Sequence, residues 1–175
     1  MSHPPSEKTN AMRALDARRI PYEVLEISPE IHGAEEVAGT LGLPAGDIYK
    51  TLVVRRTPGR PILVLIAGPR ELDLKRLARA VSAKDAHMAA HREAEALTGL
   101  KVGGISALAL LRRGFEVFLD RPALELDRIV VSAGRRGTML RLAVDDLVRV
   151  TGARIIEATE PSGGSADDTG AVPDG

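Results

Sequence analysis

Lys50 stands in the stretch Ile48-Tyr49-Lys50-Thr51-Leu52-Val53-Val54, a single ammonium group at the head of a run that otherwise reads as a buried strand. Period-two alternation sets Lys50 on one face with Leu52 and Val54, and Tyr49, Thr51 and Val53 on the other. With the Leu52 face packed inward, the lysine lies at the rim of the core. There its ammonium either snorkels back to water or points into a pocket, where desolvation makes it a strong partner for an anion or a polarised carbonyl. A second candidate is Val102-Gly103-Gly104-Ile105-Ser106-Ala107. Two adjacent glycines leave their backbone amides unobstructed, so a substrate can approach and be held by main-chain donors, with the Ser106 hydroxyl beside them. The same residues also suit a plain turn in which Ser106 caps a following helix. A third is Ser132-Ala133-Gly134-Arg135-Arg136-Gly137, read as a hairpin turn whose two guanidinium groups either clamp phosphates or are simply solvated.

Other polar residues carry less. His87 and His91 are four apart, the spacing of one helix face and of a zinc chelate, but Met88 occupies the place where a zinc protease needs glutamate. With four histidines and no cysteine in the chain, no metal site is expected. His32, ahead of a helix start, reads as a local polar contact. Glu35-Glu36 and Asp145-Asp146 fall near helix starts, where the macrodipole favours acids without any catalytic role. Lys75, Arg76, Arg79 and Lys84 make a basic stripe diluted by Glu71, Asp73 and Asp85. Neither Gly-x-Ser-x-Gly nor a phosphate loop occurs.

The elements that must position these residues follow from hydrophobic periodicity. Thr9 or Asn10 caps a helix in which Met12, Leu15 and the stem of Arg19 share a face, ended by Pro21. Tyr22–Ile27 alternates as a half-buried strand, and a helix from Gly33 stops near Gly42. The Lys50 strand and Ile62-Leu63-Val64-Leu65-Ile66-Ala67 flank a Pro-Gly turn and form an antiparallel hairpin. Leu72–Val81 and His91–Gly99 read as helices, Phe115–Leu119, Arg128–Ser132 and Met139–Ala143 as strands, and Asp145–Gly152 as a last helix. Residues 1–8 are expected to be a flexible leader, 9–158 one domain, and 159–175 a disordered tail too poor in apolar residues to offset its ordering entropy. The fold class is α+β, a mixed, barrel-like sheet surrounded by helices.

Composition narrows the function. Lys plus Arg and Asp plus Glu both number 24, so nothing in the overall balance announces a polyanion. Aromatic residues make up 2% of the chain, which removes base stacking as a way of gripping nucleic acid. No cysteine means no thiolate nucleophile and suits a reducing cytoplasm. No stretch of about 18 apolar residues exists to span a membrane.

Taken in order, Tyr49-Lys50-Thr51-Leu52, Leu72-Asp73-Leu74-Lys75, Thr98-Gly99 with Val102-Gly103-Gly104-Ile105-Ser106, and Val131 through Gly137 resemble the YbaK/EbsC family over about residues 10–158. Those proteins are free-standing aminoacyl-tRNA deacylases related to the editing domain of bacterial prolyl-tRNA synthetases. The resemblance implies hydrolysis of the ester between a wrongly attached amino acid and the tRNA 3′ end, foremost Cys-tRNA(Pro), with no cofactor. It assigns Lys50, Gly103, Gly104 and Ser106 to the catalytic group. Tyr49, Thr51, Ile27, His32, Ile105, Gly134, Arg135 and Arg136 become the substrate-binding wall. For cysteine, it implies that the substrate's own thiol attacks its carbonyl. A pocket tyrosine of the cysteine-specific branch falls at Ile27, a proline at Ala107 and an acid at Met139, which makes the pocket more apolar and alanine a credible substrate. The alternatives are an Ala-tRNA(Pro) deacylase or a non-catalytic module that binds an aminoacyl-tRNA end or another small ligand. Prolyl-tRNA synthetase is a candidate docking partner; monomer and dimer both stay open.

Overall fold

A computed structural model describes residues 7–160. Helix α1 (Asn10–Ala17) begins where Thr9 Oγ1 accepts the Met12 amide proton at 3.3 Å, and buries Ala11, Met12 and Leu15. The helix stops before Arg19, whose backbone turns left-handed at φ 56°. Arg19 therefore does not extend the apolar face as its spacing suggests. Strand β1 (Glu23–Glu26) leads to α2 (Ala34–Leu41), which ends on Gly42 in the left-handed conformation at φ 66°.

Strands β2 (Tyr49–Thr57) and β3 (Ile62–Ala67) form the antiparallel hairpin expected from the sequence, with Lys50 opposite Ile66 and Leu52 opposite Val64. Helix α3 (Leu74–Ala80) is capped by Asp73, which accepts the Arg76 amide proton at 3.0 Å. Next comes strand β4 (Asp85–Met88), then α4 (His91–Thr98). His87 thus lies in a strand, opposite Arg55, and His91 opens the following helix, so the two imidazoles do not share a helix face. Pairing with β2 overrides the local spacing here.

After a 3-10 turn over Leu108–Arg113, strand β5 (Val117–Asp120) runs parallel to β3. Strands β6 (Arg128–Arg135) and β7 (Thr138–Ala143) make the second hairpin, with a bulge between Ser132 and Arg135. Helix α5 (Val144–Thr151) and the short strand β8 (Arg154–Ile156), parallel to β5, follow.

The strands form two sheets, β1-β7-β6 and the mixed β4-β2-β3-β5-β8, joined by a parallel bridge between Ile48 and Val130. The mixed sheet and surrounding helices match the α+β expectation, but the strands do not close into a barrel. The main core lies between the sheets, where Val53, Leu63 and Leu65 meet Ile129, Val131, Leu140 and Leu142. A second cluster packs α3 through Leu77 against Val54, Ile62, Val64 and Ile66. Strand β3 is thereby buried on both faces, which is why its sequence is wholly apolar.

Candidate active site

A cavity of about 310 Å³ lies beside the Ile48–Val130 bridge, with Ile48 among its lining residues. The first residues of β2 form one wall, the loop through Val102, Gly103 and Ile105 a second, and the β6–β7 turn with Met139 a third; Ile27, Ile31 and His32 close the remaining side. Lys50 is exposed to solvent at this cavity, and its Nζ donates to the Gly68 carbonyl oxygen at 3.2 Å. The ammonium is neither buried nor free to wander. It is tethered by one neutral acceptor, which leaves its charge uncompensated for a ligand.

Gly68 makes that tether possible. A Cβ there would stand 1.8 Å from the Ala34 Cβ, so only glycine lets α2 pack over the end of β3. Its amide donates to the Ile48 carbonyl at 2.7 Å, fixing the peptide beneath Lys50. Sequence reading overlooked Gly68; the available signal was a glycine directly after an unbroken apolar strand and directly before Pro69.

The glycine loop divides its labour. Gly103, at φ 92°, lines the cavity. The Gly104 amide is already spent on the Lys101 carbonyl at 2.8 Å, and a Cβ on Gly104 would lie 2.9 Å from the Arg136 backbone nitrogen. Gly104 therefore serves close packing against the β6–β7 turn. Arg136 fastens the two segments from above, its Nε donating to the Val102 carbonyl at 2.8 Å. Ser106 is 1% exposed and does not line the cavity; its hydroxyl oxygen accepts the Ala109 amide proton at 3.3 Å, the capping geometry of the turn reading. Gly134 and Arg135 face a neighbouring groove instead. Arg135 donates from Nε to Thr138 Oγ1 at 3.1 Å and from Nη1 to the Glu7 carbonyl at 2.9 Å.

Tyr49 and Thr51 line the cavity, and each carries a buried polar atom. Neither Tyr49 Oη nor Thr51 Oγ1 has a hydrogen-bond partner among the described residues. Burial, reinforced by the Asp120 carboxylate, pushes the Tyr49 phenol well above its ordinary range, so it stays neutral. Ile27 is anchored by its amide, which donates to the Gly137 carbonyl at 2.8 Å, and with Met139 it gives the cavity an apolar floor. Ala107 is buried away from the cavity. His32 is exposed at the mouth. None of Lys75, Arg76, Arg79 or Lys84 lines it.

The lining thus combines an apolar interior with Lys50, Arg136 and His32, and contains no carboxylate among the described residues. Its one lining serine, Ser132, uses its hydroxyl oxygen to accept the Gly134 amide proton at 3.2 Å. Such a site can hold a small apolar group with an electron-rich oxygen near the ammonium. Among the described residues, no group of three or more His, Cys, Asp or Glu is placed to hold a metal ion.

Residues 28–150 match the family model described as the aminoacyl-tRNA editing domain. A curated relative, EbsC of Enterococcus faecalis, whose name gives it provisionally as a Cys-tRNA(Pro)/Cys-tRNA(Cys) deacylase, is 37% identical over 155 residues, covering 87% of this chain and 94% of its own. The proline–tRNA ligase of a Sulfurihydrogenibium species is 33% identical over 62% of this chain, but the match takes up only 19% of the ligase. Among solved structures, one described provisionally as a trans-editing enzyme for prolyl tRNA synthetase superposes with a TM-score of 0.72 at 26% identity, covering 91% of this chain and 100% of its own. The crystal structure of a hypothetical protein superposes with a TM-score of 0.79, also at 26% identity, over 86% of this chain and 99% of that one.

Proposed function

Because this chain belongs to the aminoacyl-tRNA editing domain family, we propose that it is a trans-editing hydrolase that cleaves the ester of a mischarged aminoacyl-tRNA, foremost Cys-tRNA(Pro). The observation that supports this most is the pairing of a tethered, solvent-reachable Lys50 with a small cavity closed by Gly103, Ile27 and Met139. A cavity of about 310 Å³ is at the small end of ligand pockets and suits an aminoacyl group rather than a large ligand.

In this reading the amino-acid side chain enters the apolar interior, and Lys50 stabilises negative charge gathering near the ester or its ribose. Gly103 lets the acyl group approach the main chain. The cavity offers no paired nucleophile and base from the protein, which favours chemistry carried by the substrate. For a cysteinyl ester the thiol sulfur bonds to the carbonyl carbon, the bond to the ribose oxygen breaks, and that oxygen takes up the thiol proton. Water then opens the resulting thioester. Ser106, buried and engaged in its cap, supports the loop and does not touch the substrate.

A second reading, deacylation of Ala-tRNA(Pro), is favoured by the apolar side chains of Ile27 and Met139 in the floor. Discrimination between small side chains by volume alone is limited to about 10- to 200-fold per methylene-sized difference. The protein works in the cytoplasm on the 3′ end of aminoacyl-tRNA, with prolyl-tRNA synthetase as a docking partner that supplies affinity the neutral chain lacks. Release of free amino acid under multiple turnover is expected. Protection of the ester without release would instead establish a non-catalytic binding module.

A further inference from the structure

A second depression, of about 500 Å³, lies behind the wall formed by Gly104 and Arg136, with Arg136 lining both it and the ester cavity. Among the described residues that line it, four are cations, Arg13, Lys101, Arg135 and Arg136, and none is a carboxylate. A fifth, Arg113, reaches its rim, with Nη2 2.9 Å from the position a Cβ would take on lining residue Gly99. In a chain of zero net charge this is a local concentration of positive charge that nothing in the overall balance predicts.

Arg135 and Arg136 donate only to neutral oxygens, the Thr138 hydroxyl and the Glu7 and Val102 carbonyls, and among the described residues no lining cation has a carboxylate closer than 3.9 Å. Lys101 meets Glu95 only at 3.9 Å on the surface, and Arg13 donates to the Asn10 side-chain oxygen at 3.1 Å. Arg135 keeps Nη2 buried without an acceptor among the described residues. Among the described residues no aromatic side chain lines the groove, so it is not built to stack bases. Cationic side chains without acids or aromatic rings, arrayed in an open trough, fit a row of phosphodiesters.

We propose that this groove binds the backbone phosphates of the single-stranded nucleotides preceding the terminal, aminoacylated adenosine. The inference rests on the editing reading for its direction. The ester occupies the cavity, the strand passes over Arg136, and the preceding phosphates descend toward Arg135, Lys101 and Arg13. Affinity comes from phosphate charge rather than base identity, so binding is salt-sensitive and tolerant of sequence at the 3′ end.

The test is equilibrium binding of an uncharged tRNA(Pro) transcript, and of the same transcript without its single-stranded 3′ nucleotides, to the wild type and to the double variant Arg13→Gln/Lys101→Gln. Each single-strand phosphate contact contributes about 0.7 to the slope of log affinity against log salt, so the variant's slope on the intact transcript should fall by about 1.4. Truncating the RNA should weaken wild-type binding, and weaken the variant less. An unchanged slope, or an equal loss on both transcripts, overturns the proposal. Should the double variant lose thermal stability, Lys101→Glu alone, on an exposed loop position, should lower the slope by about 0.7 or more. Uncharged RNA has no ester to cleave. Normal deacylation with an unchanged slope therefore removes the groove and keeps the editing reading, and a reduced slope in a protein that cleaves nothing does the reverse.

Discussion

Thr51 lines the cavity at a cost in stability. Its hydroxyl is buried without a hydrogen-bond partner among the described residues, and an orphaned buried hydroxyl costs about 1–3 kcal/mol. Thr51→Val keeps the shape and removes the unpaired group. The variant is expected to gain roughly 1 kcal/mol, read as a rise of about 2–4 °C in Tm. A Tm that does not rise would show that the hydroxyl is already satisfied. Ile27→Tyr tests the floor in the same way: a phenol beside Met139 fills apolar space and adds a polar group, and the ratio of Cys to Ala ester hydrolysis is expected to rise. An unchanged ratio would remove Ile27 from specificity. At this scale the sequence disclosed much, since Lys50, Thr51, Gly103 and Arg136 all meet at the cavity. It did not disclose that the Ser106 hydroxyl would be spent on Ala109, because whether a serine caps a turn or faces a pocket depends on rotation of that turn within the fold.

The glycine loop and the β6–β7 turn act as one unit because their backbones touch. A methyl group on Gly104 would lie 2.9 Å from the Arg136 nitrogen and 3.1 Å from the Arg135 carbonyl carbon. Backbone cannot rotate aside as a side chain can. Gly104→Ala is therefore expected to cost about 1–3 kcal/mol, measured by urea unfolding, and to reduce deacylation by shifting the turn that carries Arg136. Wild-type stability and activity in that variant would show that the two segments move independently. The helices and the central hairpin were legible because their apolar residues repeat at helical or strand spacing over many positions. Strands β4 and β8 were not. Asp85–Met88 and Arg154–Ile156 are short and largely exposed, and they become strands only because β2 and β5 offer them an edge.

Across the whole molecule, one buried carboxylate ties the end of the described chain to the larger sheet. Asp120, 1% exposed, accepts the Ala158 amide proton at 2.8 Å and the Thr159 hydroxyl proton. Hydrogen bonds to a charged group are worth about 1.5–3 kcal/mol each, so Asp120→Ala is expected to lower the urea midpoint substantially. A variant as stable as the wild type would contradict that role. Neighbouring Thr159 is 5% exposed, an ordering that the polar composition of the segment beyond it concealed. The pairing of a neutral chain with a locally basic groove likewise emerges only once Arg13, Lys101 and Arg135 are brought together from three separate segments. All of this architecture converges on the lysine at the cavity. The decisive measurement is multiple-turnover deacylation of Cys-tRNA(Pro), Ala-tRNA(Pro) and Pro-tRNA(Pro) by the wild type and by Lys50→Ala, with unfolding curves to confirm that both are folded. Selective hydrolysis of a mischarged ester by the wild type, lowered at least about 100-fold in the folded variant as for the loss of one electrostatic stabiliser, is the predicted result. Full activity in folded Lys50→Ala would contradict the account.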